Sequence, residues 1–499
     1  MNELAILAIL LFVLIIAIFY VEYSSRKNIT NAETNRKILH IVAGILAIFA
    51  LELYVNKNVL IIVTASISIL LFSLLFFFRN KSLITKIEIS KRKSLGTQLF
   101  PVGLLFLLLV SDDENFLYAK ISLFIMTFAD AGAALIGENF EFKPFFISND
   151  KKTISGTLSF FIFSNIIFFS SLFFFNEKLY SNFNFYYIML AIFLISFLLT
   201  LIEAASFYGL DNLLLPIFSF LLAQTFLSFE NWEDLERFYC GILYGVAVSY
   251  ISYRLKFLKF NGAIGAFILA IFIFGVGGIS WAAPILTFFI FSSLLSFIKK
   301  KYKGRIEKNY YEKGSERDFY QAMANGGVGL FLSVAYLYFK NESIYLTYIL
   351  SLASACADTW ATEFGSSIPT KVYHILSFKE IVQGTSGGVS FIGYIGALLG
   401  ASIVYISATP FLINGTFYTF LIIIIFAIIS TIIDSVIGAA LQAGYKCEVC
   451  GIITEKESHC SKKTKLVKGF PIINNDMTNF ISILIASSIY LFLLSNNKI

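Results

Sequence analysis

Long uncharged apolar stretches follow one another along the whole chain, and they limit its possible folds more than any other feature. A bilayer core is about 30 Å thick, so a helix that rises about 1.5 Å per residue needs roughly 20 apolar residues to cross it. About sixteen stretches approach this length. They lie near residues 4–21, 38–53, 60–78, 99–110, 117–136, 158–175, 186–202, 213–229, 238–251, 263–275, 279–298, 326–338, 344–357, 387–406, 416–433 and 480–494. Some, such as 99–110 and 263–275, are short, so the prediction of about sixteen helices holds to within about two.

The composition agrees with a membrane fold and excludes a water-soluble one. Of the 499 residues, 58% are hydrophobic, 14% are charged and 56 are Phe, which is well outside the balance of a soluble domain. The first apolar stretch lacks a basic segment before it and a small-residue cleavage site, so we interpret it as a retained helix. The sequence therefore predicts an all-α, multi-pass integral membrane protein.

Basic residues alternate between successive loops, which predicts the orientation. The basic loops lie at 26–37, 79–93, 143–152, 254–259, 299–317 and 446–468, whereas the loops between them are short and some are acidic, as at 112–114 and 230–236. Because cytoplasmic loops carry the excess of Lys and Arg, we expect these basic loops in the cytoplasm and both termini outside. Topology and anionic headgroups account for the net charge of +6. We therefore expect membrane lipids as partners and no nucleic acid.

Two segments of the chain read alike. Asp130 lies in the segment ADAGAALIG at 129–137, and Asp358 lies in ADTWATEFG at 357–365. Lys151, Gly156 and Thr157 follow the first copy at the same spacing as Lys379, Gly384 and Thr385 follow the second. Because both copies run in the same direction, they indicate a direct repeat. A boundary in the basic loop near 256–261 then divides the chain into two fused membrane domains, 1–258 and 259–499.

Carboxylates at the ends of membrane helices are costly, so each of them is a functional candidate. The first half has a set of them, with cations and small residues nearby. The set comprises Asp130, Glu203, Asp211 and Asn212 as oxygen donors, Arg36, Lys37, His40 and Lys152 as cationic or polar partners, and Ser155 and Gly156 as small residues. Phosphoryl transfer requires oxygen ligands for Mg²⁺, cations for a triphosphate, and small residues that let backbone N–H groups approach phosphate. Any one residue can instead be a helix cap or a loop charge, but the set together favours a function.

Four motifs in the first half carry a family resemblance. They are RKILHIVAG at 36–44, the segment at 129–137, KTISGT at 152–157, and Glu203 with GLDN at 209–212 and Pro216. Over residues 30–235 the chain resembles the CTP-dependent polyprenol kinases, such as phytol and dolichol kinases, which are related to phosphatidate cytidylyltransferases. The resemblance implies a lipid alcohol, CTP and Mg²⁺ as partners. The chain departs from the pattern A-D-G-x-A-D-x-x-G-R, since Ala134 and Glu138 replace the second Asp and the Arg; either Glu138 is a ligand or activity is altered.

The second half has its own set of candidates, with glycines crowded beside Thr and Ser. Such a segment at a helix start suits a phosphate-binding nest, although glycine pairs also serve close helix packing. The set comprises Asp358 as the catalytic residue, Arg317, Asn325, Lys379, Gly384, Thr385 and Ser386 for phosphate binding, and Glu363, Asp434 and Asp476 for Mg²⁺. With this pattern, residues 260–495 resemble an integral membrane family that contains phytyl phosphate kinase. The chain thus resembles a fusion of two kinases.

The chemistry of the two transfers agrees with such a division. A primary alcohol must lose a proton as it attacks the γ-phosphorus, so a carboxylate base such as Asp130 helps. A monophosphate is already ionised and needs no base. The second site therefore requires mainly cations and metal.

Four candidate Zn²⁺ ligands lie in a polar loop of the second half, at 440–476. Cys447-x-x-Cys450 is followed by adjacent His459 and Cys460, which offer three thiolates and one imidazole. Structural Zn²⁺ is the favoured interpretation, and free cytosolic thiols are the alternative.

The leading hypothesis is a bifunctional enzyme that converts an isoprenoid alcohol, such as phytol or geranylgeraniol, to its monophosphate and then to its diphosphate with CTP or another nucleoside triphosphate. Active sites facing the cytoplasm are part of this expectation. A transporter with two direct repeats is an alternative, but transporter sites lie near the bilayer midplane, whereas these acids lie at predicted helix ends. A cytidylyltransferase acting on phosphatidate is the third alternative.

Overall fold

The computed structural model describes residues 3–27, 29–30, 32–53, 56–77, 95–111, 116–140, 142–147, 151–174, 184–302, 316–412, 415–451, 453–456, 458–460 and 462–496. The predicted basic loop at 79–93 and the acidic turn at 112–114 lie outside these residues, as does most of the basic loop at 299–317.

Sixteen helices dominate the described residues, one on each predicted apolar stretch, which confirms the predicted fold class. They are α1 (Glu3–Arg26), α2 (Ala32–Glu52), α3 (Lys57–Phe77), α4 (Gly96–Val110), α5 (Leu117–Asn139), α6 (Ile154–Phe174), α7 (Phe185–Ala205), α8 (Asp211–Leu227), α9 (Trp232–Arg254), α10 (Phe260–Gly277), α11 (Ile279–Tyr302), α12 (Phe319–Phe339), α13 (Glu342–Ser367), α14 (Phe391–Ala408), α15 (Phe417–Ala440) and α16 (Asn475–Ser495). Within the described ranges, twelve are long and apolar enough to cross a membrane. Helices α4 and α8 are shorter apolar helices.

The chain divides into two compact units, Met1–Trp232 and Glu233–Ile499. In the first unit α7 is central, since 61% of its most apolar 18-residue segment is buried inside the protein. The corresponding share for α1 is only 11%. In the second unit α10 is central by the same measure, at 61%. The peripheral helices expose large apolar side chains such as Phe12 and Phe19, as a lipid environment requires.

Small residues bring the functional helices together. Gly393, Gly396 and Gly400 place α14 directly against the backbone of α13, where a Cβ atom added at Gly400 would lie 2.8 Å from the carbonyl oxygen of Cys356. In the first unit, Gly44 of α2 lies against the side chain of Thr127 in α5. These contacts are typical of membrane helices, which approach closely where side chains are absent.

Short antiparallel strands connect the helices on the polar side of each Asp segment. In the first unit β1 (Pro144–Phe145) pairs with β2 (Lys152–Thr153). In the second unit β3 (Val372–His374) lies between β4 (Glu380–Ile381) and β5 (Gly388–Val389). A loop after α15 contains β6 (Gly444–Lys446), β7 (Ile453–Thr454), β8 (Ser458–His459), β9 (Lys462–Lys463) and β10 (Lys465–Lys468), in the sheets β10-β6-β7 and β8-β9.

The structure corrects the ungapped alignment of the two repeat copies. In each unit an Asp-bearing helix is followed by short strands and a helix that packs back on it. Gly137 of α5 lies against Gly156, but its counterpart Gly365 of α13 lies against Ser390 and Gly393. The interval from Gly365 to Gly393 is nine residues longer than that from Gly137 to Gly156. Gly384 is therefore a loop residue, whereas Gly156 lies in the first turn of α6.

Candidate active sites

The first unit brings several predicted acids to one lysine, in what we call the first site: Asp130, Lys152, Glu203 and Asp211, with Arg36 and His40. Lys152 Nζ donates to Glu203 Oε1 at 2.5 Å. Burial alone would lower the pKa of Lys152, but Glu203, Asp211 and Asp130 together raise it above its ordinary value. Glu203 is 6% exposed, and its second oxygen, Oε2, is buried without a hydrogen-bond partner among the described residues. That oxygen is available to a cation.

A π-helical turn precedes Asp130. Residues Ile125–Ala129 form this turn inside α5, and the Met126 carbonyl oxygen in it accepts a hydrogen bond from His40 Nε2 at 2.9 Å. The same nitrogen lies 4.0 Å from Asp130 Oδ2. Such turns are frequent at functional sites, because the extra residue turns side chains out of the regular helix register. The apolar pattern at 117–136 gives no sign of this turn.

Glu138, which stands where the polyprenol kinase pattern has an Arg, contacts a predicted site residue. Its Oε1 lies 2.8 Å from Lys37 Nζ, and its side chain is half exposed. The departure from the family pattern therefore places a carboxylate beside Lys37.

Three other predicted residues of the first unit make contacts between elements. Ser155 Oγ donates to the Phe140 carbonyl oxygen at 2.5 Å, and the backbone N–H of Gly156 donates to Thr153 Oγ1 at 3.2 Å. Asn212 Nδ2 donates to the Gly96 carbonyl oxygen at 2.9 Å. In this conformation the three residues hold the connection from α5 to α6 and the packing of α8 on α4.

The second unit contains a cleft that gathers several of its predicted residues. Asp358 from α13 and Asp434 from α15 line it, together with residues 383–390 and Asn475 at the start of α16. Its volume is about 130 Å³. We call this space the cleft. Gly384, Thr385 and Ser386, for which the sequence predicted phosphate binding, all lie on its wall.

The glycine-rich wall of the cleft has a conformation that needs glycine. Gly384 and Gly387 have φ angles of +91° and +80°, in the region that L side chains rarely adopt. A Cβ atom at Gly387 would lie 2.5 Å from that of Ala439, so the wall rests directly on α15. Ser386 Oγ donates to Gln442 Oε1 at 2.5 Å. Beyond the wall, the N-terminus of α14 faces the cleft through Ser390 and Gly393, which favours an anion there.

Two carboxylates face the same cleft, and they are close enough to repel each other. When both are ionised, the negative charges of Asp358 and Asp434 repel each other. With its amide oriented to satisfy both of its hydrogen bonds, the Asn479 nitrogen lies 3.1 Å from Asp434 Oδ1. Two neighbouring carboxylates stay ionised together more readily when a cation lies between them, and oxygen ligands are those that Mg²⁺ prefers.

Five predicted residues of the second half lie off the cleft wall. Arg317 lies over Phe288, with its guanidinium carbon 5.4 Å from the ring centroid, and burial lowers its pKa. Glu363 Oε1 accepts from Ser296 Oγ at 2.7 Å. Lys379 is exposed in the turn between β3 and β4, and Asp476 follows Asn475 in the first turn of α16.

The fifth is Asn325 in α12, whose Oδ1 is buried without a hydrogen-bond partner among the described residues. The structure thus unites Asp358, Asp434 and the glycine-rich wall, and it leaves Arg317, Asn325, Glu363, Lys379 and Asp476 outside the residues that line the cleft.

Two residues beside the cleft were not singled out from the sequence. Glu455 lines it and accepts from Gln442 Nε2 at 2.8 Å. Lys468 Nζ donates to the carbonyl oxygen of Gly438, a cleft residue, at 3.3 Å. Both belong to the loop after α15, whose sequence shows a basic stretch and the Cys and His motif, and neither feature indicated that the loop returns to the cleft.

The same loop brings the four predicted zinc ligands together. One ligand atom from each of Cys447, Cys450, His459 and Cys460 lies within 4.8 Å of the others. His459 Nδ1 is 3.4 Å from Cys450 Sγ and 3.3 Å from Cys460 Sγ. Hydrogen bonds, first that of the Cys450 backbone, lower the pKa of the Cys447 thiol to about 6.

The fold and its polar sites define a polytopic helical membrane protein with ionisable residues gathered in each of its units. Residues 243–487 match the family described as Integral membrane protein DUF92, so the similarity to this family lies in the C-terminal half of the chain. This match includes the cleft and the four Cys and His residues, and it begins after the first site.

Two relatives cover about half of the chain. Protein PGR of Arabidopsis thaliana is 28% identical over 289 residues, which are 51% of this chain and 98% of that protein. A membrane protein of Methanocaldococcus jannaschii, described as uncharacterised, is 25% identical over 215 residues, 43% of this chain and 87% of its own length. No solved structure matches the chain.

Proposed function

We propose that the chain is a bifunctional membrane kinase that phosphorylates an isoprenoid alcohol to its monophosphate and then to its diphosphate, with CTP or another nucleoside triphosphate. The observation that carries this proposal is the cleft, where two carboxylates from different helices face a glycine-rich wall and a helix N-terminus. Carboxylates for a cation on one side and an anion-binding wall on the other suit a metal-bound triphosphate.

The first transfer belongs to the first site. The alcohol oxygen forms a bond to the γ-phosphorus, the bond from that phosphorus to the β-phosphate oxygen breaks, and Asp130 accepts the hydroxyl proton. Lys152 and Arg36 offset the charge of the phosphates there. Glu203 Oε2, which is buried without a partner among the described residues, fits a Mg²⁺ ligand, with Asp211 beside it. Mg²⁺ bound there would neutralise part of the negative charge on the β- and γ-phosphates.

The second transfer belongs to the cleft. An oxygen of the monophosphate attacks the γ-phosphorus of a second nucleotide, and the nucleoside diphosphate leaves as before. No proton has to be removed, because the attacking oxygen is already ionised. Asp358 and Asp434 hold the cation, while residues 384–388 and the N-terminus of α14 bind phosphate oxygens.

An assay with differently labelled CTP tests the proposal. The purified chain in lipid nanodiscs receives Mg²⁺ and phytol, geranylgeraniol, dolichol or, in a parallel reaction, phosphatidate, with CTP labelled at either the α- or the γ-phosphorus. We expect the γ label to enter the lipid, first as monophosphate and then as diphosphate. Transfer of the α label to phosphatidate would instead identify a cytidylyltransferase. Absence of lipid labelling with every nucleoside triphosphate would refute the kinase.

A further inference from the structure

The loop that follows α15 leaves and returns at the edge of the cleft. Its base is closed by hydrogen bonds from the Phe470 backbone N–H to the Leu441 carbonyl oxygen at 3.0 Å and from the Ala443 N–H to the Ile473 carbonyl oxygen at 2.9 Å. Between these points the chain forms the sheet β10-β6-β7 and the hairpin β8-β9. We call residues 443–470 the ribbon loop.

The ribbon loop is too small to be held by an apolar core. Its strands are two to four residues long, and few of its described side chains, such as Tyr445 and Cys447, are buried. Modules of this size usually require a metal or disulfides, because they cannot bury enough apolar surface. Some other constraint must therefore fix the loop.

The Cys and His cluster has the geometry of such a constraint. A tetrahedral Zn²⁺ with bonds of about 2.0–2.3 Å places its ligand atoms roughly 3.3–3.8 Å apart. The separations of His459 Nδ1 from Cys450 Sγ and Cys460 Sγ, 3.4 Å and 3.3 Å, agree with this requirement, and all four ligand atoms lie within 4.8 Å of one another. Cys447 and Cys450 both belong to a turn closed by a hydrogen bond from the Gly451 N–H to the Cys447 carbonyl oxygen. Three thiols and one imidazole form a closed ligand set with no position for substrate, which is the structural type of zinc site.

The ribbon loop also brings two of its residues to the cleft, so a metal that fixes the loop also fixes the positions of these residues. Strand β7 leads into Glu455, whose carboxylate reaches Ser386 of the glycine-rich wall through Gln442. Strand β10 ends at Lys468, whose ammonium group lies beside Gly438 on the cleft edge. Both residues depend on the path that the chain takes around the cluster.

We infer that Cys447, Cys450, His459 and Cys460 bind a structural Zn²⁺ that fixes the ribbon loop, and that the loop in turn holds Lys468 at the cleft to meet a phosphate group. The role of Lys468 rests on the proposed function, whereas the zinc site does not. Like Arg317 and Lys379, the cations predicted for this role, Lys468 does not itself line the cleft. Its Nζ nevertheless contacts the carbonyl oxygen of Gly438, which does line it.

Elemental analysis of the purified full-length protein tests the zinc site. We expect about one Zn²⁺ per chain, its loss in Cys447→Ser and Cys460→Ser, and its retention in Cys240→Ser, which changes an exposed thiol of the same unit outside the cluster. Absence of Zn²⁺ from protein purified without chelators, a disulfide within the cluster, or unchanged Zn²⁺ in both cluster variants would overturn this assignment.

Limited trypsin digestion tests whether the metal fixes the loop. A chelator should accelerate cleavage at Lys462, Lys463 and Lys465 at least about tenfold, and added Zn²⁺ should reverse the effect, because metal binding is coupled to local folding. Equal cleavage rates with and without the metal would refute the coupling. This measurement needs no catalytic activity, so it stands even if the proposed kinase function fails.

Kinetics of isoprenyl monophosphate phosphorylation test Lys468. We expect Lys468→Gln to raise the apparent KM for the monophosphate at least about tenfold, with kcat within about twofold and Zn²⁺ retained, and Lys468→Arg to restore KM. Lys465→Gln is the matched control, since it removes a charge from an exposed position of the same strand. An unchanged KM in Lys468→Gln, or an equal rise in Lys465→Gln, would overturn the role of Lys468.

Discussion

Two aspartates at the same place in a repeated segment have different neighbours. Asp130 lies among charged groups that include Lys152, and a histidine nitrogen lies 4.0 Å from one of its oxygens. Asp358 instead shares the cleft with another carboxylate, Asp434. A carboxylate beside a lysine and a histidine suits proton transfer, whereas two facing carboxylates suit a metal ion. The different neighbours therefore suit Asp130 to the proposed proton transfer and Asp358 to the proposed metal binding.

The substitution Asp358→Asn tests the metal role in the cleft. It keeps the shape of the side chain but removes its charge, so the bound cation should lose a ligand. We expect turnover of the monophosphate to fall at least about a hundredfold, because several kcal/mol of transition-state stabilisation depend on the metal. Given alcohol and CTP, the variant should therefore accumulate isoprenyl monophosphate, measured by chromatography of labelled lipid.

The control for this measurement is Glu342→Gln, which removes an exposed carboxylate from the first turn of the same helix. It should form diphosphate at the normal rate. Normal diphosphate formation by Asp358→Asn would mean that Asp358 is structural and that the repeat does not mark the active site.

At the scale of elements, the apolar stretches predicted every helix in the described part of the chain, because twenty or so uncharged residues have few alternatives to a helix in a membrane. Asp130, Glu203 and Asp211 were grouped from the sequence because all three lie at predicted helix ends, and Lys152 was added from the loop before Ser155. The π turn at Ile125–Ala129 and the return of Lys468 to the cleft were not predictable, since hydrophobic periodicity does not encode local hydrogen bonding or loop paths. The ungapped alignment of the two repeat copies was wrong for a similar reason. The connection after Gly365 is longer than the one after Gly137, and the apolar pattern does not reveal this difference.

The close packing of α13 against α14 gives a prediction about Gly400. A side chain there would meet the Cys356 carbonyl oxygen, since even a Cβ atom would lie 2.8 Å from it. Gly400→Leu should therefore destabilise the second unit by about 1–3 kcal/mol through overpacking, although leucine favours helix formation. Thermal unfolding in detergent measures the change.

The control is Leu398→Ala on the same helix, where the side chain is 47% exposed. It should change stability by about 0.5 kcal/mol or less. An equal effect of both variants would show that this contact is unimportant.

At the scale of the whole molecule, each unit has its own polar site, and the DUF92 match at 243–487 begins after the first of them. In the proposed reaction sequence, the isoprenyl monophosphate made in one unit would keep its apolar chain, stay in the bilayer and reach the other site by lateral diffusion. The two activities should therefore be separable by mutation and should recombine when separate molecules share one membrane.

The substitution Asp130→Ala tests this separation. Because it removes the proposed proton acceptor of the first transfer only, phosphorylation of the free alcohol should fall at least about a hundredfold, while phosphorylation of supplied monophosphate should remain within about twofold of the unsubstituted chain. The retained second activity also reports that the variant is folded.

When Asp130→Ala and Asp358→Asn proteins are reconstituted into the same vesicles, conversion of alcohol to diphosphate should return, since each supplies the step that the other lacks. In separate vesicles that are mixed, it should return more slowly, because the monophosphate must leave its bilayer. Loss of both activities in Asp130→Ala would refute the two-site proposal, because a single shared site is the simplest arrangement in which one carboxylate serves both transfers.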